Sequence, residues 1–477
     1  MSDLRERLDR LAEGASGDLD AAQLWTTGRR RHSLRTAAGA LAVLLIATVS
    51  GLGGATLWSR TATTQLPSTS QRTESPWPAL TLPDRFVTPT PWLPGTDQAG
   101  PIGPLSAVVG GARRSWRGLG PATTNGLAGV SARTGEYRFL DLPGYSPSPG
   151  RPALSADGRR LAYWQSTDAS AQDNAVTGLA VYDTVSGTVR THRFDNALGT
   201  RADTLVWVGE TLWFSSVKIT SLAADGSSSG TAAMWQWPMD AVARADETYP
   251  VASALNAGTP WGVVLSDDAP WDYSISDGRS VVRLALDRDA NVPPVFSADG
   301  SALAAILQPS PGVMDSEPHD LLVGRLAKPI PLGFNLTDVD RGHLSASADL
   351  TVTLREVPGV KAQEVRGWRD ASHVVVERYE QSQAGLLSVD IRTGASTPLS
   401  RIATQNRGPG TIVADDAWQG EIVPASPGAP TDPRWTAASI AGAVLLGLWG
   451  TRFVRRRRAV AIAHGEDVGS AGSEAGA

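Results

Sequence analysis

A short hairpin pattern occurs twice in this chain of 477 residues and constrains its fold more than any other feature. Apolar residues lead into Ser155-Ala156-Asp157-Gly158 and follow it, and the same arrangement returns at Ser297-Ala298-Asp299-Gly300. In such a turn the Asp carboxylate accepts hydrogen bonds from the nearby backbone, and the Gly adopts the positive φ that a tight hairpin needs. The copies lie 142 residues apart, about three times the length of a four-stranded propeller blade. The pattern therefore predicts a repeated β-hairpin.

A second turn pattern also recurs between predicted strands. It reads Asp183-Thr184-Val185-Ser186-Gly187 and Asp390-Ile391-Arg392-Thr393-Gly394, with a related turn at Ala132-Arg133-Thr134-Gly135. The 49 Gly and 32 Pro residues favour a β-rich fold with many turns over a fold of long helices. The two patterns together predict a chain of short strands built from repeated units.

These patterns resemble those of exported TolB-like and WD40-like β-propellers. Units of those proteins run from an apolar strand through Ser-x-Asp-Gly to another strand, and later through Asp-x-x-(Thr/Ser)-Gly. The resemblance implies an all-β fold with a six- to seven-bladed propeller over residues 105–405, of which residues 227–290 match least. A β-sandwich array is the alternative, because it too alternates short strands with turns.

Two apolar segments predict membrane-spanning helices on either side of the propeller. Residues 36–58 carry no charge and follow Arg29-Arg30-Arg31, and residues 435–454 lead into Arg455-Arg456-Arg457-Arg458. Each segment has about the 20 residues that a helix needs to cross a bilayer. Because Arg clusters favour the cytoplasmic side, we expect a two-pass cell-membrane protein with both termini cytoplasmic and an extracytoplasmic propeller. The alternatives are a cleaved signal peptide for the first segment and a buried core helix for the second.

The remaining segments are assigned from composition. Residues 59–104 and 406–434 are predicted as extracytoplasmic linkers, the first of them rich in Pro, Thr and Ser. Residues 455–477 form a basic and then disordered cytoplasmic tail. Residues 1–35 form a short cytoplasmic helical segment, in which Leu4, Leu8 and Leu11 recur at helical spacing.

The N-terminal segment is a candidate docking site for a cytoplasmic protein. An amphipathic helix could lay Leu4, Leu8, Leu11, Leu24 and Trp25 into a groove, although a solvated or membrane-surface helix explains the same spacing. The run Leu24-Trp25-Thr26-Thr27-Gly28-Arg29-Arg30-Arg31 resembles the layout of actinobacterial membrane proteins in which a short helical segment precedes one membrane helix. Some proteins of that type are linked to sigma factors, so the resemblance implies a membrane-bound regulator.

A candidate ligand patch combines aromatic and acidic residues in the least regular unit. Aromatic rings beside carboxylates bind sugars or cations, although packing between blades explains the same residues. The patch consists of Trp261, Asp267, Asp268, Trp271 and Asp272.

Few residues point to catalysis or to a cofactor. The run Gly226-Ser227-Ser228-Ser229-Gly230 matches a nucleophile motif by letter, but it lacks the surrounding pattern of a strand-to-helix elbow. The acids near Asp287 match only the beginning of a calcium loop. The chain has no Cys, and its six His show no metal-binding spacing, so we expect neither cofactor nor metal. The middle of the chain is acidic, which argues against nucleic-acid binding.

The sequence therefore predicts a non-enzymatic, membrane-anchored propeller. We expect it to act as an extracytoplasmic binding or sensing platform for a protein or envelope ligand, with signalling to a cytoplasmic partner. A purely extracytoplasmic module that binds cell-wall glycan is the alternative, and a propeller hydrolase is a third interpretation.

Overall fold

The chain divides into two compact units, Met1–Pro76 and Trp77–Ala477, and the structure describes residues of the second. This computed structural model describes residues 79–117, 120–147, 150–166, 175–222, 227–239, 246–250, 254–258, 262–266, 273–276, 281–288, 290, 293–307, 317–326, 348–380, 383–403, 410–427 and 433–466. The predicted first membrane helix, residues 36–58, lies outside the described residues.

Strands dominate the described residues. In chain order they are β1 (Leu82–Pro83), β2 (Arg85–Phe86), β3 (Leu105–Arg117), β4 (Gly120–Ser131), β5 (Tyr137–Phe139), β6 (Ala153–Leu154), β7 (Arg160–Gln165), β8 (Ala175–Val176), β9 (Gly178–Asp183), β10 (Val189–Arg193), β11 (Thr200–Val208), β12 (Thr211–Leu222), β13 (Ser228–Pro238), β14 (Asp246–Pro250), β15 (Ala254–Gly258), β16 (Val263–Ser266), β17 (Tyr273–Ser276), β18 (Val281–Leu286), β19 (Val295–Phe296), β20 (Ala302–Ile306), β21 (His319–Arg325), β22 (Ala348–Val352), β23 (Leu354–Ala362), β24 (Glu364–Asp370), β25 (His373–Glu380), β26 (Gln383–Asp390), β27 (Ser396–Ala403), β28 (Ile412–Val413) and β29 (Ile422–Val423). Helices are α1 (Thr96–Ala99), a 3-10 helix (Asp415–Gln419) and α2 (Pro433–Glu466).

The described strands form six blades of four or five strands, and this confirms the expected all-β propeller with the lower of the expected blade numbers. From the first strand (A) to the fourth (D), the blades are β28-β3-β4-β5, β6-β7-β9-β10, β11-β12-β13-β14, β15-β16-β17-β18, β19-β20-β21-β23 and β24-β25-β26-β27. Three blades carry a fifth strand: β8 on blade 3, β22 on blade 4 and β2 on blade 6.

The A strands lie around the axis of the ring. Strand β6 contacts both β28 and β11, β11 contacts β15, and β19 contacts β24, so the first strands of neighbouring blades approach one another. Because strands alternate in direction within a blade, the A–B and C–D turns lie on one face of the ring, which we call the turn face. The B–C hairpins and the D–A connections lie on the opposite face, which we call the hairpin face.

Both sequence patterns form turns on the turn face. The Ser-Ala-Asp-Gly pattern is the A–B turn of blades 2 and 5, and the Asp-x-x-(Thr/Ser)-Gly pattern is the C–D turn of blades 2 and 6. The Asp157 and Asp299 carboxylates each accept a hydrogen bond from the preceding Ser hydroxyl and one from the backbone two residues later. Gly158 and Gly300 both have φ of 67°. The predicted physical reason for the motif is confirmed.

In blades 3 and 6, whose first hairpins lack this pattern, a Trp on the A strand fastens the blade to the preceding one. The Trp207 indole N–H donates to the carbonyl of Ala153 at 3.0 Å, and the Trp368 indole N–H donates to the carbonyl of Val295 at 2.9 Å. The acceptors occupy the same position in blades 2 and 5, two residues before the Ser of the motif. The same contact therefore joins blade 3 to blade 2 and blade 6 to blade 5.

Both ends of the propeller segment close the ring, at the seam between blades 6 and 1. From the C-terminal side, β28 supplies the A strand of blade 1 by pairing with β3. From the N-terminal side, β2 pairs in parallel with β27, the outer strand of blade 6. Strands β1 and β29 then pair with each other. The structure thus places propeller strands inside both segments predicted as linkers, 59–104 and 406–434, and the ring extends beyond residues 105–405.

Apolar packing supports this closure. Leu82, Phe86 and Leu93 are buried in one cluster with the core of blade 1 and with Val375 and Leu386 of blade 6. The 3-10 helix that follows β28 packs against β24, and Trp418 within it is 2% exposed. The seam is therefore filled with side chains from both ends of the segment.

Helix α2 lies in the segment predicted to cross the membrane a second time. Large apolar side chains on it are exposed, including Leu445, Leu446 and Trp449. Among the described residues, no helix reaches the combination of length and mean hydropathy that marks a membrane span.

The fit of the A–B turn in blade 2 gives a testable prediction. A Cβ at Gly158 would lie 1.9 Å from the carbonyl oxygen of Leu105, whereas a Cβ at Gly209, the equivalent turn of blade 3, would meet no atom within 4 Å. Both glycines have positive φ. We expect Gly209→Ala to lower the free energy of unfolding by about 1–2 kcal/mol, from the left-handed backbone alone. Gly158→Ala should lower the free energy of unfolding by about 1–3 kcal/mol more than this, because its Cβ clashes with the carbonyl oxygen of Leu105.

Denaturant unfolding of both variants measures the difference. Equal losses in the two variants would contradict the close packing of this turn against blade 1.

Candidate functional site at the ring-closing seam

A charged cluster lies where blade 6 meets blade 1, towards the hairpin face. Glu364 and Arg366 are on β24, the strand nearest the axis, and Glu377 is on β25 opposite Glu364. Along β25, Val375 packs with the core of blade 1, while Val374 and Val376 pack with blades 5 and 6. Since side chains alternate along a strand, Glu377 shares the side of Val375 and faces the seam. We call Glu364, Arg366 and Glu377 the seam cluster.

One guanidinium serves two carboxylates in the seam cluster. Arg366 Nε lies 2.5 Å from Glu377 Oε2, and its Nη2 contacts the same oxygen. Its Nη1 lies 3.1 Å from Glu364 Oε1. The side chain of Glu377 is 3% exposed and that of Glu364 is 40% exposed. Glu377 and Arg366 therefore form the buried base of the cluster, and Glu364 is the carboxylate that solvent reaches.

The surroundings set the protonation of the exposed member. Burial raises the pKa of Glu364, the Arg366 charge lowers it and the Glu377 charge raises it, with a net shift upwards. The charge of Arg151, just before the A strand of blade 2, also acts on Glu364. Burial and the neighbouring Glu377 raise the pKa of Tyr379 on the same strand as Glu377. The arrangement offers opposite charges and a phenol at one end of the axis, which suits polar recognition.

The opposite end of the axis carries carboxylates. Asp415 and Asp416 begin the 3-10 helix after β28, and the backbone N–H of Asp416 donates to the carbonyl of Ala156 at 3.0 Å. Asp415 reaches solvent, but the protein around its other sides and the adjacent Asp416 charge raise its pKa to about 6. Burial and the Asp157 charge raise the pKa of Asp416. The turn face is thus acidic beside the axis.

A Ser, a His and an Asp also meet in the A–B turn of blade 6, but they are arranged as turn caps and not as a catalytic triad. Both oxygens of Asp370 lie 2.9 Å from His373 Nδ1, and Ser372 Oγ lies 3.1 Å from the same nitrogen. Partial burial raises the pKa of Asp370, but hydrogen bonds from His373 and Ser372 outweigh it and hold that pKa at about 2. A catalytic His needs its acid and its nucleophile on different ring nitrogens. These side chains cap the turn.

Other candidates from the sequence have structural roles or lie outside the described residues. Ser228 and Ser229 are in β13, so the letter match to a nucleophile motif sits on a strand and not on an elbow. The Asp287 carboxylate accepts a hydrogen bond from the backbone N–H of Leu354 at 2.8 Å. In the part of the chain that the structure describes, no group of three acidic or His side chains is placed to hold a metal ion.

The two predicted binding groups fall on residues that the structure does not describe. For the ligand patch these are Trp261, Asp267, Asp268, Trp271 and Asp272, and for the docking segment Leu4, Leu8, Leu11, Leu24 and Trp25. The described strand β16 separates Trp261 from the other four patch residues along the chain.

The seam cluster was not predicted. Its signal in the sequence is the alternation of Glu364 and Arg366 with apolar residues in a strand.

Comparison with known proteins finds distant structural similarity only. No protein-family model matches the chain, and no curated protein matches it by sequence. Among solved structures, TolB from Acinetobacter baumannii is similar at 13% identity and a TM-score of 0.32, covering 65% of this chain and 85% of that one. An oligogalacturonate lyase in complex with manganese is similar at 10% identity and a TM-score of 0.34, covering 63% and 86%.

A third similar structure is the acylaminoacyl peptidase of Pyrococcus horikoshii, at 11% identity and a TM-score of 0.36. The match covers 61% of this chain and 43% of the peptidase. Identities this low concern the fold alone, and the fold assignment above is based on the strand order of this chain.

The buried ion pair gives a second prediction. Glu377→Gln leaves the Arg366 guanidinium without its buried counter-charge, so we expect the free energy of unfolding to fall by about 3 kcal/mol. The matched control is Glu356→Gln, because Glu356 pairs with Arg288 at 2.7 Å with both side chains about half exposed. That variant should lose less than about 1 kcal/mol. Denaturant unfolding at low and high salt compares them, and equal losses would refute a structural role for the buried pair.

Two carboxylates on the turn face, Asp415 and Asp299, have pKa values shifted in opposite directions, and this gives a third prediction. Since the pKa of Asp415 is raised above its unfolded value, the folded state loses stability as pH rises from about 4 through about 6. Asp415→Asn should therefore raise the melting temperature at pH 7.5 and leave it unchanged near pH 4. Hydrogen bonds from Ser297 and Ser301 lower the pKa of Asp299, so Asp299→Asn should lower the melting temperature at pH 7.5. Thermal unfolding of both variants at the two pH values tests this contrast, and a less stable Asp415→Asn at pH 7.5 would contradict it.

Proposed function

We propose that this protein is a membrane-anchored binding platform that presents the hairpin face of its propeller to an extracytoplasmic ligand. The observation that carries the proposal is the position of the two chain exits. Both ends of the propeller leave it on the turn face, so an anchored ring turns its hairpin face away from the membrane.

The exits are fixed by backbone hydrogen bonds to the C–D turn of blade 1. On the N-terminal side, the N–H of Thr81 donates to the carbonyl of Ala132 at 3.0 Å. On the C-terminal side, the N–H of Ser426 donates to the carbonyl of Gly135 at 3.1 Å. These bonds lie at the same turn, on the face that also carries the Ser-Ala-Asp-Gly turns. Either connection to an anchor therefore starts from the turn face.

The length of the C-terminal connection supports this orientation. Six residues lie between Ser426 and Pro433, the first residue of α2, so seven Cα–Cα steps connect the two. A fully extended chain of that length spans at most about 25 Å, so the turn face lies within that distance of the beginning of α2. If α2 enters the bilayer, the turn face is the one next to the membrane.

The composition of α2 supports its role as the anchor. Leu445, Leu446 and Trp449 are 66%, 71% and 68% exposed, which is unfavourable for large apolar side chains in water and favourable in lipid. The helix continues into Arg455 and Arg456, whose charges favour the cytoplasmic side of a membrane. These features support a cytoplasmic C-terminus and an extracytoplasmic propeller.

The hairpin face offers a surface suited to recognition. Strands β3 and β4 remain paired as far as Arg117 and Gly120, well past the short strands β28 and β5 on either side. The β12–β13 hairpin of blade 3 also extends, to Leu222 and Ser228. The seam cluster lies towards this face beside the axis. Long hairpins around a polar centre favour a binding role, and signalling through residues 1–35 stays a prediction.

The absence of Cys allows a direct test of topology, the fourth prediction. Thr124 on the β3–β4 hairpin and Thr134 in the C–D turn of blade 1 are both exposed Thr residues of one blade, on opposite faces. In intact cells, a membrane-impermeant maleimide should label both Thr124→Cys and Thr134→Cys. A Ser473→Cys variant in the C-terminal tail should react only after permeabilisation. Labelling of the tail in intact cells would overturn the proposed topology.

The same two positions test which face binds. A photo-crosslinking amino acid at position 124 should trap a ligand in intact cells, and the same probe at position 134 should trap the membrane or nothing. Crosslinking of a ligand at position 134 alone would refute presentation of the hairpin face.

A further inference from the structure

An aromatic cluster joins the outer strand of blade 2 to the middle of blade 3, and a His lies at its centre. The His192 ring is 5.4 Å from Phe194, 5.8 Å from Phe214, 6.2 Å from Trp235 and 5.8 Å from Trp237, between ring centroids. Phe214 also stacks on Trp235, with 5° between the ring planes. The half-buried imidazole is therefore surrounded by four aromatic rings on its protein side.

Strand β10 approaches blade 3 through alternate residues. The Arg190 guanidinium lies 5.5 Å from the Trp237 ring, and its Nη1 donates to the carbonyl of Met239 at 2.8 Å. His192, two residues later, is on the same side of the strand, and Phe194 follows it into the cluster. Blade 2 therefore meets blade 3 through one cation and two rings in succession.

The electrostatic environment of His192 contains cations and no described carboxylate in the cluster. On its own strand, the charged residues are Arg190 and Arg193. On β12, Lys218 is on the same side of the strand as Phe214, but it lies four residues away, about 13 Å along the strand. Strand β13 has no ionisable residue, and on β14 Glu247 is the register partner of Trp235. Burial lowers the pKa of His192.

We infer that the joint between blades 2 and 3 is acid-sensitive, with His192 as the group whose protonation loosens it. A charge on the half-buried imidazole is partly desolvated among four rings, and it lies on the strand that already carries Arg190. Opening of the joint relieves both costs, because the released ring is hydrated.

The joint adjoins the hairpin face, so its opening changes that face. His192 is one residue from the end of β10, and the connection from β10 to the A strand of blade 3 runs through Asn196 and Gly199. The N–H of Ile219, in the extended β12–β13 hairpin, donates to the carbonyl of Gly199 at 3.1 Å. Acidification therefore acts on one of the two long hairpins. The acid sensitivity itself is independent of the proposed binding function.

The sign of the effect follows from linkage. The folded state takes up the His192 proton less readily than the unfolded state, whose His titrates near 6.5. Stability is therefore full above that pH and falls as pH decreases below it. The loss ends only when pH passes below the folded-state pKa.

The test, our fifth prediction, compares the full-length protein with His192→Phe, which keeps an aromatic ring in the cluster but cannot titrate. Between pH 7 and pH 5, we expect the wild-type melting temperature to fall by about 2 °C more than that of the variant. The control His319→Gln should keep the wild-type profile. Trp fluorescence of the wild type, but not of His192→Phe, should change over the same pH range, because Trp235 and Trp237 contact the imidazole.

Two results would overturn the inference. One is a wild-type pH profile that matches that of His192→Phe. The other, which does not depend on folding of the variant, is an imidazole of His192 that titrates at or above pH 6.5 in the NMR spectrum of the wild type.

Discussion

The contact between blade 6 and blade 1 is the constraint on which the ring depends, because it is the one joint between neighbours that no short connection within the chain enforces. Strand β28 makes it on the inside by completing blade 1, and β2 makes it on the outside by extending blade 6. Closing a loop of this length costs conformational entropy, which hydrogen bonds and the buried Leu82 and Phe86 offset. The seam cluster adds a buried ion pair to the same joint. Both partners, Arg366 and Glu377, belong to blade 6, and an unpaired Arg366 would be costly on the side of that blade that faces the seam.

Elsewhere in the ring, some turns and two of the joints between blades use interactions that repeat along the chain. Asp residues such as Asp157 and Asp299 order the turns through hydrogen bonds, and each such bond contributes about 1 kcal/mol. Trp207 and Trp368 each fasten an A strand to a carbonyl of the preceding blade. The joint between blades 2 and 3 departs from this pattern at its outer side, where His192 takes part in the packing. Since the remaining rings of that cluster cannot titrate, the response of the joint to acid depends on one residue.

Local patterns predicted the blades, but they could not predict how the ring closes. The Ser-Ala-Asp-Gly turn is visible in the sequence because its chemistry is complete within a few residues. Strands β1, β2, β28 and β29 have two residues each, too few for any periodicity, and their partners lie far away in the sequence. The same holds for the seam cluster, since only the fold brings Arg366 between Glu364 and Glu377. The contacts of Trp207 and Trp368 were likewise not predicted, because their acceptors belong to another blade.

The pairing of β1 with β29 means that the beginning and the end of the ring are neighbours. Leu82 lies opposite Ile422 in a parallel ladder, and adjacent strands are about 4.8 Å apart. A linker of a few residues can therefore join these ends. The chain could then be opened at another surface connection without changing any strand neighbour, as a circular permutant. The present order of the blades is therefore one of several that give the same ring, and in this order both ends emerge on the turn face.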